Sequence, residues 1–183
     1  MLGLAAQWLG VNQTQANSVA PILISEEQGR HKSTFCRMLM PPQLARYYSD
    51  NLKLTAQGNP ERLLAEMGLL NMDEFDKFGA QKMPLLKNLM QMSSLNICKA
   101  YQKNFRSLPR IASFIGTSNR TDLLCDPTGS RRFICIEAEH DIDCTGIEHS
   151  QIYAQLKEEL LAGARHWFNK EEEHALQRHN SAY

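Results

Sequence analysis

The residues with the clearest capacity for chemistry lie in "ISEEQGRHKSTF", Ile24 to Phe35. A phosphate-binding loop reads G-x-x-x-x-G-K-[ST]. Its loop amides and the helix N-terminus face the phosphates, its lysine neutralises the β/γ charge, and its hydroxyl holds Mg²⁺. Lys32 and Ser33 occupy the last two positions, followed by Thr34, and Gly29 lies upstream beside Arg30. Glu26 and His31 stand where the pattern has its two glycines. A side chain at a position built for glycine costs roughly 1–3 kcal/mol. A carboxylate ~4 Å from a phosphate charge costs roughly 1 kcal/mol in water and about 4 at an effective dielectric near 20. Such losses weaken a site without abolishing it if Glu26 points to solvent and Arg30 or His31 adds positive charge. The bland alternative is a strand-to-helix turn carrying a solvated lysine.

Three later segments add chemistry in order. In "LLNMDEFD" (69–76) an apolar run ends in Asp73 and Glu74, a Walker B pattern. Asp73 would hold Mg²⁺, which takes oxygen ligands, and Glu74 would act as general base on the attacking water. The alternative is a pair of acids closing a strand, and Asp76 reads as a solvated turn residue. "SFIGTSN" (113–119) delivers Asn119, a neutral group suited to positioning water or a γ-phosphate, or else an ordinary Asx-turn residue. In "DPTGSRRF" (126–133), one of Arg131 and Arg132 would reach a phosphate across a subunit boundary as an arginine finger. The other would pair within the fold; the alternative is two surface arginines.

The elements that must position these residues follow from periodicity and punctuation. Helices are expected at 2–10, at 32–40 (stopped by Pro41-Pro42), at 59–67 (Asn59 cap, Pro60 in the first turn), at 80–92, at 146–164 and at 169–179. Strands are expected at 20–25, 46–50, 68–76, 110–119 and 131–139, with an exposed strand or hairpin at 95–105 and a turn at 126–130. Strands alternating with helices indicate an α/β domain with a largely parallel sheet. Functional loops of such sheets lie at the carboxyl ends of the strands, where all four motifs are assigned.

Composition sets the bounds. The 183 residues suffice for one domain and one core. A formal net charge of zero argues against a strongly basic nucleic-acid clamp and leaves room for a local patch. That patch is "KAYQKNFRSLPR" (99–110), where Tyr101 and Phe105 could stack on bases and Lys99, Lys103 and Arg106 could pair with phosphates of single-stranded DNA or RNA. The alternative is a solvated hairpin with its aromatics turned inward. Five cysteines without a C-x-x-C pair fit reduced thiols, and no apolar run reaches 18 residues. The opening "MLGLAAQWLG" lacks a basic n-region and a cleavage site, so the expectation is a cytoplasmic protein with no membrane partner. His174 and His179, five apart, do not share a helix face, so no metal is expected there.

Four weak signals in this order carry more than any one of them. The segments "ILISEEQGRHKSTFCRMLMPP", "LLNMDEFDKF" and "RIASFIGTSNRTDLLCDPTGSRRFICIE" resemble the virulence-associated protein E family. These are P-loop ATPase domains similar to the helicase parts of phage and plasmid primase-helicases and related to superfamily 3 helicases. The resemblance implies a P-loop NTPase core with a mainly parallel five-stranded sheet flanked by helices. That core would span 20–140, after a leader helix within 1–19 and before a C-terminal helical segment of the same domain, 141–183. It further implies Gly29, Lys32, Ser33 and Thr34 at the phosphates, Asp73 and Glu74 as Walker B, Asn119 as sensor, and Arg131 or Arg132 as finger. ATP and Mg²⁺ are the implied cofactors, and a ring-like homo-oligomer is expected in a full-length context, of which this chain would be a fragment or truncated member. Three functions stay open: a helicase-like Mg-ATPase of mobile-element replication, a non-hydrolysing assembly module, and a single-strand-binding domain that does not use ATP.

Overall fold

The computed structural model describes residues 1–11, 16–98, 105–124 and 130–183. Seven strands occur among them: β1 (Ala20–Ile24), β2 (Tyr48–Ser49), β3 (Leu69–Met72), β4 (Ser94–Cys98), β5 (Phe105–Pro109), β6 (Ser113–Ser118) and β7 (Phe133–Glu137). Five form one sheet in the order β2-β3-β6-β1-β7, and every pairing is parallel. A sheet covered on both faces needs strands that are apolar throughout. β3 and β6 are accordingly buried at every residue. Alternation sorts their side chains between two cores. Ile22, Ile24, Leu70, Met72 and Phe114 pack with Leu64, Leu86, Leu89 and Phe133 on one face. Leu23, Leu69 and Ile115 pack with Leu4 and Cys36 on the other.

Gly116 makes that strand order possible. It lies opposite Ile22 of β1 and Met72 of β3. A Cβ there would come within 2.7 Å of Ile22 Cδ1 and 3.2 Å of the Met72 carbonyl oxygen. Any side chain would force a neighbouring strand aside.

The helices are α1 (Leu2–Leu9), α2 (Lys32–Met38), α3 (Pro60–Glu66), α4 (Met83–Gln91), α5 (His149–Leu161) and α6 (Lys170–His179). The leader α1 buries Ala5 and Ala6 against Leu156 and Leu160 of α5, and Trp8 stacks on Tyr153 at 5.5 Å. α6 starts with a reciprocal capping box between Asn169 and Glu172, with three glutamates in its first turn. The α/β architecture with a parallel sheet of five strands, flanking helices and C-terminal helices is as expected.

Several boundaries differ from the periodicity reading, among them three where a 3-10 turn displaces one end of a strand. Pro42–Tyr47 is a 3-10 turn, so only Tyr48 and Ser49 of the 46–50 segment pair with β3. β3 stops at Met72, and Glu74 adopts a left-handed backbone (φ 51°) that starts a 3-10 turn over Phe75–Lys77. Ser130–Arg132 also forms a 3-10 turn, which delays β7 to Phe133. The 95–105 segment resolves as a hairpin: β4 and β5 are antiparallel, with Ser94 opposite Pro109 and Cys98 opposite Phe105. The expected turn at 126–130 lies outside the described residues except for Ser130.

Arg110, at the foot of this hairpin, is 1% exposed. Its guanidinium donates to the carbonyls of Leu89 (3.2 Å), Met90 (2.6 Å) and Met92 (3.3 Å), closing the carboxyl end of α4, and to those of Ala112 (2.9 Å) and Asn17. The last carbonyls of a helix lack intrahelical partners and favour a cation, so the buried charge is compensated by dipoles rather than by an acid. Burial pushes its pKa down to about 10.

Candidate functional site

Because β6 lies between β1 and β3, the loops leaving these three strands converge at one edge of the sheet. β1 runs out at Ile24, and Ser25 continues the pairing by donating its N–H to the Ser118 carbonyl at 3.2 Å. The chain then turns through two left-handed residues, Gly29 (φ 87°) and His31 (φ 59°), before α2 begins. His31 thus occupies a conformation that costs an L residue roughly 1–2 kcal/mol, as expected for a histidine at a glycine position. Its side chain and that of Glu26 are exposed.

Lys32 is 7% exposed, which overturns the solvated-lysine alternative. Its Nζ donates to the Ser25 carbonyl at 3.1 Å and to Asn119 Oδ1 at 3.0 Å. Burial pushes the ammonium below the ordinary lysine value, while the nearby Asp73 charge pulls it back up. The next residue, Ser33, donates its Oγ to Asp73 Oδ1 at 2.9 Å. Thr34 is exposed on the first turn of α2.

Asp73 Oδ1 also accepts from Thr117 Oγ1 at 2.6 Å. The Glu74 N–H reaches the same Thr117 oxygen at 3.4 Å, while the Glu74 carboxylate pairs with Lys77 Nζ at 2.6 Å. Asp76, expected as a solvated turn residue, is half-buried: its Oδ1 accepts from Ser118 Oγ at 3.1 Å and from the Asn119 N–H at 3.5 Å. Ser25, Thr117, Ser118 and Asp76 were all missed in the sequence. The available signal was three polar residues in a row, "TSN", closing a strand otherwise built of core.

Two groups do not join this cluster as anticipated. Arg30 is held by Glu27 Oε2 (2.6 Å) and Asp141 Oδ1 (3.2 Å), and its carbonyl accepts from the Ile142 N–H at 3.3 Å. The segment after β7 is thereby laced to the loop. Arg131 and Arg132 precede β7, whose first residue, Phe133, pairs with Ala20 at the start of β1. They therefore sit at the amino edge of the sheet, opposite the expected carboxyl edge and one strand length from Lys32, roughly 13 Å or more at 3.3 Å per residue. The error came from treating the turn before β7 as equivalent to the turns after the other strands. Arg131 pairs with Glu173 at 3.1 Å, and half-buried Arg132 is pushed below the usual arginine value by burial.

In the basic stretch, Lys99, Tyr101, Lys103 and the side chain of Phe105 lie outside the described residues, and Arg106 is exposed on β5. A cavity of about 440 Å³ between Leu2, Pro21, Ile115, Trp167 and Phe168 holds none of the candidate residues. A cleft of about 370 Å³ adjoins the loop instead, lined by Ser25, Glu26, Arg30, Thr121 and Glu137 among others.

The converging loops and parallel sheet define an α/β domain with one polar cluster at the carboxyl edge. The virulence-associated protein E-like domain matches residues 10–183, and the chain belongs to that family. Among solved structures, the chain is similar to the C-terminal region of NrS-1 in its apo form. One such structure gives 19% identity and a TM-score of 0.52 over 98% of this chain. Its A form gives 19% identity and a TM-score of 0.51 over 99%. The chain spans only 39% and 38% of those two structures, and the likeness is one of fold. No curated protein matches it. No helix among the described residues is long and apolar enough to cross a membrane.

Proposed function

We propose that this chain is an ATP-binding and Mg²⁺-dependent ATP-hydrolysing module of helicase type, serving replication of a phage, plasmid or other mobile element. The observation that supports it best is the environment of Lys32. A buried ammonium has three donors and a full charge. Here its two acceptors, the Ser25 carbonyl and the Asn119 amide oxygen, are both neutral. Asp73 acts on it only through space, and a triphosphate would add an anion in direct contact. Ser33 and Asp73 offer the hard oxygen atoms that suit Mg²⁺, which when bound would neutralise charge between the β- and γ-phosphates.

The chain's own residues divide the remaining work. Lys32 turns its third N–H toward the γ-phosphate, and Asn119, its oxygen already committed, directs its amide N–H₂ at the phosphate or the attacking water. Glu74 leaves Lys77 and accepts the proton of that water. Arg131 and Arg132, at the far edge of the sheet, cannot serve their own Lys32 site. In a ring of identical chains they would face a neighbour's nucleotide, which fits the finger role assigned from sequence. The exposed hairpin strand carrying Arg106 is the proposed contact for single-stranded DNA or RNA.

A second reading, a module that holds nucleotide without hydrolysing it and serves assembly, is favoured by the Glu74–Lys77 ion pair and by the strained His31. Titration of labelled ATP with and without Mg²⁺, beside Lys32→Ala, tests the first. Saturable binding lost in the variant, with Mg²⁺-dependent phosphate release, supports it. Turnover that persists in Lys32→Ala overturns it. Saturable binding without turnover, unchanged by Glu74→Gln, selects the second reading.

A further inference from the structure

We infer that Thr117 is a positioning residue for both acids of the site, an inference that rests on the ATPase reading above. It is 3% exposed, in a strand buried at every residue. Valine would fill nearly the same shape there, and a buried hydroxyl is unfavourable unless it is hydrogen-bonded. The Thr117 hydroxyl is bonded on both sides. It donates to Asp73 Oδ1 at 2.6 Å and accepts the Glu74 N–H at 3.4 Å.

These two contacts act on different properties. Asp73 Oδ1 also accepts from Ser33 Oγ at 2.9 Å, so one carboxylate oxygen is fixed between two hydroxyls. With Oδ1 so placed, the carboxylate plane and the direction of its second oxygen are set before any cation arrives. Glu74 is left-handed at φ 51°, a conformation its own side chain disfavours. The Thr117 oxygen caps the Glu74 amide and helps hold that turn, which decides where the Glu74 carboxylate can reach. Neighbouring residues of the same strand end perform separate tasks, Ser118 toward Asp76 and Asn119 toward Lys32. Among the described residues, Thr117 is the one that hydrogen-bonds both of the acids assigned to metal and water.

The test compares wild type, Thr117→Val and Thr117→Ser in three assays: affinity for a fluorescent ATP analogue in EDTA, the Mg²⁺ concentration for half-maximal turnover, and kcat and KM at saturating Mg²⁺. Loss of a group that orients a metal ligand typically costs about 10–100-fold in metal affinity or activity. The expected result for Thr117→Val is a kcat lowered on the order of tenfold or more and a raised Mg²⁺ requirement. Metal-free nucleotide affinity should stay within about threefold of wild type, and Thr117→Ser should recover most of the loss. A purely structural role would lower metal-free affinity and thermal stability together and would not be rescued through the Mg²⁺ requirement. That pattern overturns the inference, as does a Thr117→Val protein with wild-type kcat and Mg²⁺ dependence. Wild-type protein without Mg²⁺-dependent turnover overturns the ATPase reading and this inference with it. Wild-type turnover retained by Thr117→Val overturns this inference alone.

Discussion

Lys32 Nζ and Asn119 Oδ1 are bonded at 3.0 Å although 87 residues separate them in the chain. The bond holds the ammonium without pairing it to an acid, because an amide oxygen carries no net charge and Asp73 acts on Lys32 only through space. Replacing Asn119 with aspartate would give Lys32 a buried ion pair that a phosphate must then break. Asn119→Asp is therefore expected to weaken ATP binding by about tenfold or more, since 1.4 kcal/mol suffices for that factor. Asn119→Ala should bind nucleotide within a few-fold of wild type and lose turnover instead. Equilibrium titration beside steady-state phosphate release separates the two outcomes.

The Lys32 ammonium is shifted below the usual lysine value, and this fixes the sign of two pH effects. The unfolded chain binds a proton there up to about pH 10.4, while the folded chain releases it at lower pH. Between those values the unfolded state holds more protons, so stability of the nucleotide-free protein from this group rises with pH. On the proposed ATP-binding reading, nucleotide affinity needs the charged form and should fall over the same window. The buried Cys36 and Cys135 and the half-buried Tyr48 and Tyr153, all pushed up by burial, act the other way. The Lys32 contribution is therefore read as the urea midpoint of wild type minus that of Lys32→Met, which should rise from neutral to alkaline pH while wild-type ATP affinity falls. Lys32→Met should remove both trends and leave a protein at least as stable as wild type at pH 7.

His31 at φ 59° tests how much the departure from a glycine loop matters. His31→Gly relieves about 1–2 kcal/mol of strain, and the more flexible unfolded chain takes back about 0.5–1. A net gain of up to roughly 1.5 kcal/mol in unfolding free energy is expected, together with tighter nucleotide binding on the proposed reading. His31→Val, β-branched in the same conformation, should destabilise. Urea unfolding of both variants checks the order Gly, His, Val.

Arg110 carries the largest expected stability effect. Arg110→Ala strands several buried carbonyl oxygens at the end of α4, at roughly 1–3 kcal/mol each before relaxation. A loss of about 3–5 kcal/mol in denaturant unfolding is expected, a large share of a domain's total of about 5–15. Arg110→Lys should recover only part, because an ammonium cannot reproduce the planar fork.

The parallel core was legible because β1, β3 and β6 are largely apolar runs with polar exits, and the meeting of Lys32 with Asn119 and of Ser33 with Asp73 was legible because the exits of parallel strands gather at one edge. Other parts were not. Arg131 and Arg132 were placed at the wrong edge because motif order in a chain says nothing about which end of a strand a turn precedes. Arg110 lies at the end of a basic stretch and the start of an expected strand, with no role assigned to it; only the arrival of α4's carbonyls makes it core. Asp76 looked solvated because its partners, Ser118 and the Asn119 amide, are more than forty positions away. Long-range hydrogen bonding leaves no periodic trace.

The clasp of Arg110 has a mechanical consequence. The same guanidinium grips the end of α4, the strand entering the sheet at Ala112 and the segment leading from α1 at Asn17. With three elements fastened at its base by one side chain, the β4–β5 arm depends there on a single anchor, so Arg110→Ala should loosen the arm from the sheet as well as destabilise the fold.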